Sequence, residues 1–280
     1  MGILSGLSSL GLGRLEGADL YAKEEKEKPK EEAPKKPEKE VTERDFIFEK
    51  SFECPVCYKK FTESKVKSGK ARLIKQDKDL RPIYVGIDAL KYDIVSCPHC
   101  GYTAMDRWFP IIAAPQAKLV KEQISRGFQK FRRSTVVDYE EAIARYKLAL
   151  ANSIVKKGKD SEKAFTCLKL AWVVRGYAEN YNQAADDYMD KMEELKADEA
   201  ELLHNALEGF ISARQTESFP IAGMDSITLD YLLAVLCLKQ DRIDEAGSFI
   251  VNVLQSKNAS TRLKNNALDV KEEILEKKKG

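Results

Sequence analysis

The hydrophobic positions follow two different periods along the chain, and the change falls near Gln116. Before that point apolar residues alternate with polar or small ones, as at Phe46, Phe48 and Phe52, which predicts half-buried β-strands. Residues 71–75 and 92–96 have the composition of two further strands. After Gln116 apolar residues recur every three or four positions, which predicts α-helices. The pattern predicts an α+β fold, with a small β-rich domain over residues 45–115 and an all-α domain over residues 116–280.

The helical domain is predicted to begin with a helix that contains Leu119, Ile124 and Phe128. Asp138 can cap the next helix, because a short acceptor side chain satisfies free backbone N–H groups at a helix start. The predicted helices from this point on cover residues 139–154, about 164–177, 183–214 with a possible break, 226–239, 243–255 and 260–276.

These helices show a weak repeat. Tyr139 and Ala142 are followed by Tyr146 and Ala149, and this spacing of aromatic and small residues resembles the second helix of a tetratricopeptide repeat. Small residues let two helices approach closely, and the aromatic rings fill the space beside them. We expect tetratricopeptide-like packing with degenerate repeats, and an ordinary helical bundle is the alternative.

Two segments precede the globular part. Residues 1–21 are apolar and rich in glycine, and Ile3, Leu4, Leu7 and Leu10 fall near one helical face. This segment is expected to be a poorly ordered terminus or a short docking peptide for a partner, a membrane or the protein's own body. Residues 22–44 are expected to be a charged disordered linker, because residues 23–40 contain seven Lys, seven Glu and three Pro and no large apolar side chain.

Four cysteines form two Cys-Pro-x-Cys motifs, Cys54/Cys57 and Cys97/Cys100. Two such motifs can bind one Zn²⁺ tetrahedrally, and four thiolates leave no open position for water, so a structural zinc is predicted. Gly101 suits a turn that needs positive φ while backbone N–H groups point at sulfur. The order of strands and motifs is that of a zinc-ribbon-like domain with a long insertion.

Redox chemistry is the competing interpretation, because a Cys-Pro-His-Cys sequence also occurs in disulfide oxidoreductases. A second Cys-Pro-x-Cys motif and the absence of a recognisable export signal argue against it. His99 is expected to be a solvent-facing turn residue, and Cys167 and Cys237 lie on apolar helical faces and are expected to be buried thiols. No catalytic constellation is recognised, so no enzyme activity is predicted.

Charge adds one candidate surface. The chain has 47 basic and 45 acidic residues, a net charge of +2 that predicts no general attraction to nucleic acid or membrane. Locally, however, Arg126, Lys130, Arg132 and Arg133 form a basic stretch, interpreted as a basic helix that could bind nucleic acid. No apolar run reaches the length of a transmembrane segment, and six cysteines are too few for a disulfide scaffold, so a cytoplasmic protein is expected.

The motifs also resemble a known family. Phe46-Ile47-Phe48-Glu49-Lys50-x-Phe52-x-Cys54-Pro55-x-Cys57, Asp77-x-Asp79-Leu80-Arg81, Tyr84, Tyr92 and Cys97-Pro98-x-Cys100-Gly101-Tyr102 together resemble the bacterial family catalogued as domain of unknown function 2225. The likeness covers roughly residues 44–275. It implies a zinc-ribbon-type head followed by tetratricopeptide-like helices, and it implies no particular activity.

Three functions follow in order of preference. The first is a non-catalytic adaptor in which zinc holds the β-rich domain and the helices bind a protein or peptide partner. The second is a nucleic-acid-binding regulator, and the third is a thiol-redox enzyme. The sequence specifies neither the partner nor the oligomeric state.

Overall fold

The computed structural model describes residues 41–279, so residues 1–21 and most of the predicted linker over residues 22–44 lie outside the described part. From Val41 onward the chain forms one compact unit. Within the described residues three two-stranded antiparallel sheets come first and seven α-helices follow. The predicted α+β fold with a helical second part is confirmed.

Each sheet is a hairpin. The strands are β1 (Ile47–Glu53) with β2 (Lys60–Val66), β3 (Leu73–Gln76) with β4 (Pro82–Tyr84), and β5 (Ile94–Ser96) with β6 (Thr103–Met105). In the first hairpin Ile47 lies opposite Val66 and Glu53 opposite Lys60, so the pairing is regular along both strands. Two short 3₁₀ helices, Glu43–Phe46 and Ala89–Tyr92, precede the first and third hairpins.

The helices are α1 (Ala114–Val120), α2 (Tyr139–Val155), α3 (Asp160–Asn180), α4 (Tyr188–Thr216), α5 (Ser226–Lys239), α6 (Ile243–Gln255) and α7 (Thr261–Lys277). Asp138 caps α2 as predicted, because its carboxylate accepts the Glu141 backbone N–H at 2.7 Å. Asp225 and Ser260 cap α5 and α7 in the same way.

Two predicted helix boundaries were wrong. A π-helical turn over Lys121–Ser125 continues α1 and the helix then stops, so Phe128 lies outside it. Helix α4 begins at Tyr188 rather than near residue 183, because a turn closed by hydrogen bonds from Tyr181 Oη to the Asp187 carboxylate precedes it. From Tyr188 it runs without a break to Thr216.

Each helix from α2 to α7 packs against the next one along the chain. Small residues allow α3 and α4 to pack closely. A Cβ added to Gly209 of α4 would lie 2.9 Å from the Ala164 Cβ of α3, so a larger residue there would push the two helices apart. The largest buried cluster joins these helices to the strands, because it contains Leu90 and Ile94 together with Tyr146 of α2.

Candidate metal centre

Two hairpin turns present the four cysteines. Cys54 and Cys57 lie in the turn between β1 and β2, and Cys97 and Cys100 lie in the turn between β5 and β6. The second hairpin, β3–β4, occupies the insertion between the two motifs. The fold therefore brings together two motifs that are separated by 39 residues in the sequence.

The two turns have the same hydrogen bonds. In the first, Cys54 N–H donates to the Lys59 carbonyl and Tyr58 N–H donates to the Cys54 carbonyl. In the second, Cys97 N–H donates to the Tyr102 carbonyl and Gly101 N–H to the Cys97 carbonyl. Two backbone N–H groups in each turn, at the second and third residues after the first cysteine, hydrogen-bond to that cysteine's sulfur. Such bonds stabilise thiolate ligands.

The sulfur positions fit a tetrahedral metal site. The Cys54 and Cys100 sulfurs are 3.6 Å apart, as are those of Cys57 and Cys97, and all four lie within 4.8 Å of one another. A regular tetrahedron with metal–sulfur bonds of about 2.3 Å has edges of about 3.8 Å. All four thiols are free, so no disulfide competes for the sulfurs. Within residues 41–279 this is the one group of three or more His, Cys, Asp or Glu side chains with such spacing.

Burial and contacts among the sulfurs shift the pKa values of the cysteine thiols. Cys54, Cys97 and Cys100 are buried, and Cys57 is partly exposed. Without a metal, hydrogen bonds from the Cys100 and Cys54 thiols lower the pKa of Cys97 to about 2. Hydrogen bonding with Cys54 and Cys97, together with burial, raises the pKa of Cys100. The metal-free cluster thus favours few thiolates, whereas a divalent cation would hold all four sulfurs deprotonated.

A cluster of aromatic rings packs against the cysteines of the two turns. The rings of Phe52 and Phe61 stack at a centroid distance of 5.9 Å, and Phe109 contacts both of them edge-on. Tyr102, which directly follows the second motif, is fully buried against Phe109 and donates its Oη hydrogen bond to the Phe109 carbonyl. These rings form a separate small core around the cysteines.

Helix α2 and the loop after α1 hold the second turn in place. The Asn152 side-chain amide donates to the Gly101 carbonyl at 3.0 Å, and the Phe128 ring lies over Gly101. Gly101 has φ of 74°, as the sequence predicted. Asn152 was not predicted to contribute. The one sequence feature that points to it is a polar amide on the otherwise apolar stripe that contains Ala149.

A largely buried four-cysteine cluster at the tips of two hairpins, joined to an array of α-helices, defines an α+β protein with a candidate thiolate metal centre. The profile of the family described as "Uncharacterized protein conserved in bacteria (DUF2225)" matches residues 47–274, and the chain belongs to that family. Searches of curated proteins and of solved structures each gave no significant match.

The basic stretch does not form a helix. Arg126 lies in the turn after the π-helical segment, and residues 128–134 have no regular secondary structure. Arg126, Lys130 and Arg132 are exposed, and no ion pair of these three side chains is found within residues 41–279. Arg133 is different, because its guanidinium pairs with the buried Glu63 and donates to the Ser96 carbonyl at 2.9 Å. Three of the four basic residues are therefore exposed, whereas Arg133 links the β1–β2 hairpin to the β5–β6 hairpin.

The other residues named from the sequence do not belong to the cysteine cluster. His99 is exposed, as expected, and Cys167 and Cys237 are buried, with burial raising the pKa of each to about 11. Asp79 is fully buried and paired with Arg175 of α3. No helix within residues 41–279 is long and apolar enough to cross a membrane.

Proposed function

We propose that the protein is a non-catalytic adaptor, in which one structural Zn²⁺ fixes the hairpins and the helices bind a protein or peptide partner. The close grouping of four thiols, three of them buried, supports the first half of this proposal. Four protein ligands leave no coordination position for substrate or water. A low pKa would make the Cys97 thiolate nucleophilic in the metal-free state. However, Cys97 is 0% exposed, so a disulfide substrate has no access to its sulfur. Thiolate ligands need a reducing compartment, which favours the cytoplasm.

The second half rests on an apolar surface of the helical part. Helices α6 and α7 enclose an open groove of about 630 Å³, which we call the α6/α7 groove. Its walls include Val251 and Leu275, each 47% exposed, and the partly buried Leu254. A groove of this kind between two helices suits the apolar face of a peptide helix.

Metal analysis tests the zinc. Elemental analysis of the purified full chain should give one zinc per chain, and thiol titration should show four protected thiols that react after chelation. A metal-free protein with a reactive Cys97 would instead support the redox function. The matched control is Cys167→Ala, which removes a buried thiol outside the cluster and should leave the zinc content unchanged.

Photo-crosslinking in a bacterial host that expresses the family tests the partner. A benzophenone amino acid in place of Val251 should crosslink to a protein other than this chain, whereas the same group in place of Ile154, which is exposed on α2, should not. Equal capture from both positions, or recovery of nucleic acid alone, would contradict a role for the groove in partner binding.

The exposed basic loop supports nucleic-acid binding as a second candidate function. Arg126, Lys130 and Arg132 lie beside the aromatic rings of Phe128 and Phe131, a combination that can contact phosphates and stack on bases. If these three cations contact the phosphates of a single strand, the logarithm of the binding constant should fall with the logarithm of salt concentration with a slope of about −2.

Fluorescence anisotropy with a labelled oligonucleotide measures that slope. The triple variant Arg126→Glu, Lys130→Glu and Arg132→Glu should abolish binding. The control variant Lys196→Glu, Lys257→Glu and Lys279→Glu makes the same charge change at other exposed positions and should bind as the wild type does. Arg133 is left unchanged, because its substitution would disturb the pair with Glu63.

A further inference from the structure

A cleft lies between the β3–β4 hairpin and the helices α2 and α3, and we call it the hairpin cleft. Its walls include β4 (Pro82–Tyr84), Asp88, Tyr139 at the start of α2, and Glu179 and Asn180 at the end of α3. Its volume of about 390 Å³ lies within the range of about 300–1,000 Å³ that is typical of small-molecule sites. A molecule bound there would contact the β-rich part and the helical part together.

The hairpin cleft has one more acidic than basic side chain. Its charged residues are Glu43, Asp88, Glu179, Arg81 and Lys91. Lys91 Nζ pairs with the Glu43 carboxylate at 2.7 Å, and the Arg81 guanidinium donates to both Glu179 oxygens, at 2.8 and 2.7 Å. Asp88 forms no ion pair within residues 41–279, so its carboxylate is the one charge of the cleft that no partner compensates.

The Asp88 carboxylate is held in place but retains acceptor capacity. Its Oδ1 accepts the Leu90 backbone N–H at 3.1 Å, and its Oδ2 accepts the Tyr139 Oη hydrogen at 3.2 Å. A Cβ added to Gly176 of α3 would lie 2.7 Å from Oδ2, so the carboxylate packs directly against the helix. An ionised carboxylate has about four acceptor sites, and these two donors leave about two of them. Such a group suits a ligand that brings a positively charged donor.

The donor set favours an organic cation over a metal ion. Within residues 41–279 the cysteine cluster is the one group of three or more side chains placed to hold a metal, so the cleft has too few ligands for one. Beside Asp88, the partly buried Ile83 and Tyr84 add apolar surface. We propose that the hairpin cleft binds a small primary amine, whose ammonium group donates to the Asp88 carboxylate while its apolar body lies against β4. This site is separate from the α6/α7 groove and does not depend on the adaptor function.

Ligand-observed NMR with the purified full chain gives the first test, with 2-phenylethylamine as the probe. The wild type should bind this amine at least about tenfold more tightly than 2-phenylethanol, which has a similar size and no charge. Asp88→Asn should lower the affinity for the amine at least about tenfold and leave that for the alcohol unchanged. The control Asp269→Asn makes the same charge change at an exposed position of α7 and should bind as the wild type does. No binding of the amine, or equal affinity of the wild type and Asp88→Asn for it, would overturn the proposal.

A cation supplied by the protein itself gives the second test and leaves Asp88 unchanged. Tyr139 Oη lies 3.2 Å from both Asp88 Oδ2 and Asn180 Nδ2, so a lysine in place of Asn180 is long enough to reach the carboxylate. Asn180→Lys should therefore compete with the amine and lower its affinity at least about tenfold. Asn180→Gln keeps the amide without a positive charge and should bind the amine as the wild type does. Unchanged affinity in Asn180→Lys, or an equal loss in both variants, would contradict binding at Asp88.

Discussion

Tyr58 and Gly101 occupy equivalent positions in the two cysteine turns. Each is the residue directly after the second cysteine, each donates its backbone N–H to the carbonyl of the first cysteine, and the φ angles are 61° and 74°. Their surroundings differ. Tyr58 is 71% exposed, whereas Phe128 covers Gly101. The same backbone conformation is thus required twice, but only the second turn also excludes a side chain.

Substitutions at these two positions should therefore differ in effect. Gly101→Ala places a Cβ 2.5 Å from the Phe128 ring in a left-handed conformation. Left-handed strain of about 1–2 kcal/mol and overpacking of about 1–3 kcal/mol should together lower the free energy of unfolding by at least about 2 kcal/mol. Tyr58→Gly relieves strain but loses the contact of Lys121 with the ring, so it should stay within about 1 kcal/mol of the wild type. Urea denaturation measures both values, and equal losses would show that the Phe128 contact is unimportant.

Removal of the metal should destabilise the helices as well as the hairpins. The Gly101 carbonyl accepts a hydrogen bond from Asn152 of α2, and Leu90 and Ile94 share a core with α2 and α3. A structural zinc site contributes on the order of 10 kcal/mol to folding. Chelation, or Cys54→Ser, should lower the Tm of the helical circular-dichroism signal by more than about 10 °C, since about 1 kcal/mol shifts Tm by 2–4 °C at this size.

The control for that experiment is Cys167→Ser, which should retain the metal and lose much less stability. An unchanged helical Tm after complete removal of zinc would contradict this coupling between the metal centre and the helices.

The cysteines could be found from the sequence because their spacing is local, whereas the polar residues that hold the hairpins together could not. Residues 62–65 are all polar and no strand was predicted there, yet they form most of β2, with Glu63 and Lys65 buried. Glu63 is buried because Arg145, 82 residues away, donates to it at 2.8 Å. No periodicity within a short segment can reveal a partner at that distance. The helices α5 and α6 were predicted to the residue because their limits depend on neighbouring residues.

Strands β4 and β6 were also not predicted, because partners far away in the sequence help to form them. The segment before Asp88 looks like a series of turns, and β4 has only three residues, Pro82–Tyr84. Three ion pairs join this hairpin to α3, because Arg175 pairs with both Asp77 and Asp79 and Arg81 pairs with Glu179. Asp79 therefore has a partner on a helix, and turn formation alone does not explain why it is buried.

Glu63 should be one of the most sensitive positions in the protein. The residue is 3% exposed, and its carboxylate pairs with both Arg145 and Arg133. Removal of one member of a buried pair leaves an uncompensated charge and typically costs about 3–5 kcal/mol. Glu63→Gln should lower the free energy of unfolding by about that amount. Glu194→Gln, which removes the exposed pair with Lys191, should cost less than about 1 kcal/mol, and a similar loss in both variants would refute the distinction.

Asp79 and Asp88 should make opposite contributions to the pH dependence of stability. Burial alone would raise the pKa of Asp79, but the hydrogen bonds and charge of Arg175 together with the charge of Lys239 lower it. Burial raises the pKa of Asp88 more than its hydrogen bonds from Leu90 N–H and Tyr139 Oη and the nearby charges lower it, and Asp88 forms no ion pair within residues 41–279. A carboxyl group whose pKa is lowered on folding stabilises the protein above its unfolded pKa of about 3.9, and this stabilisation is lost as the pH falls through the folded pKa. A raised pKa has the reverse effect, with stabilisation present at low pH and lost as the pH rises through the folded pKa.

The matched variants Asp79→Asn and Asp88→Asn separate these two effects by urea denaturation between pH 3 and pH 7. Asp79→Asn should be destabilised by about 3 kcal/mol at pH 7, because Arg175 loses its buried partner, and the difference from the wild type should shrink below about pH 4. Asp88→Asn should gain stability relative to the wild type as the pH rises above about 4, because the variant avoids placing a charge in a buried site. If both variants followed the same pH trend, the Arg175 pair would not be what keeps the Asp79 carboxylate charged in the folded protein.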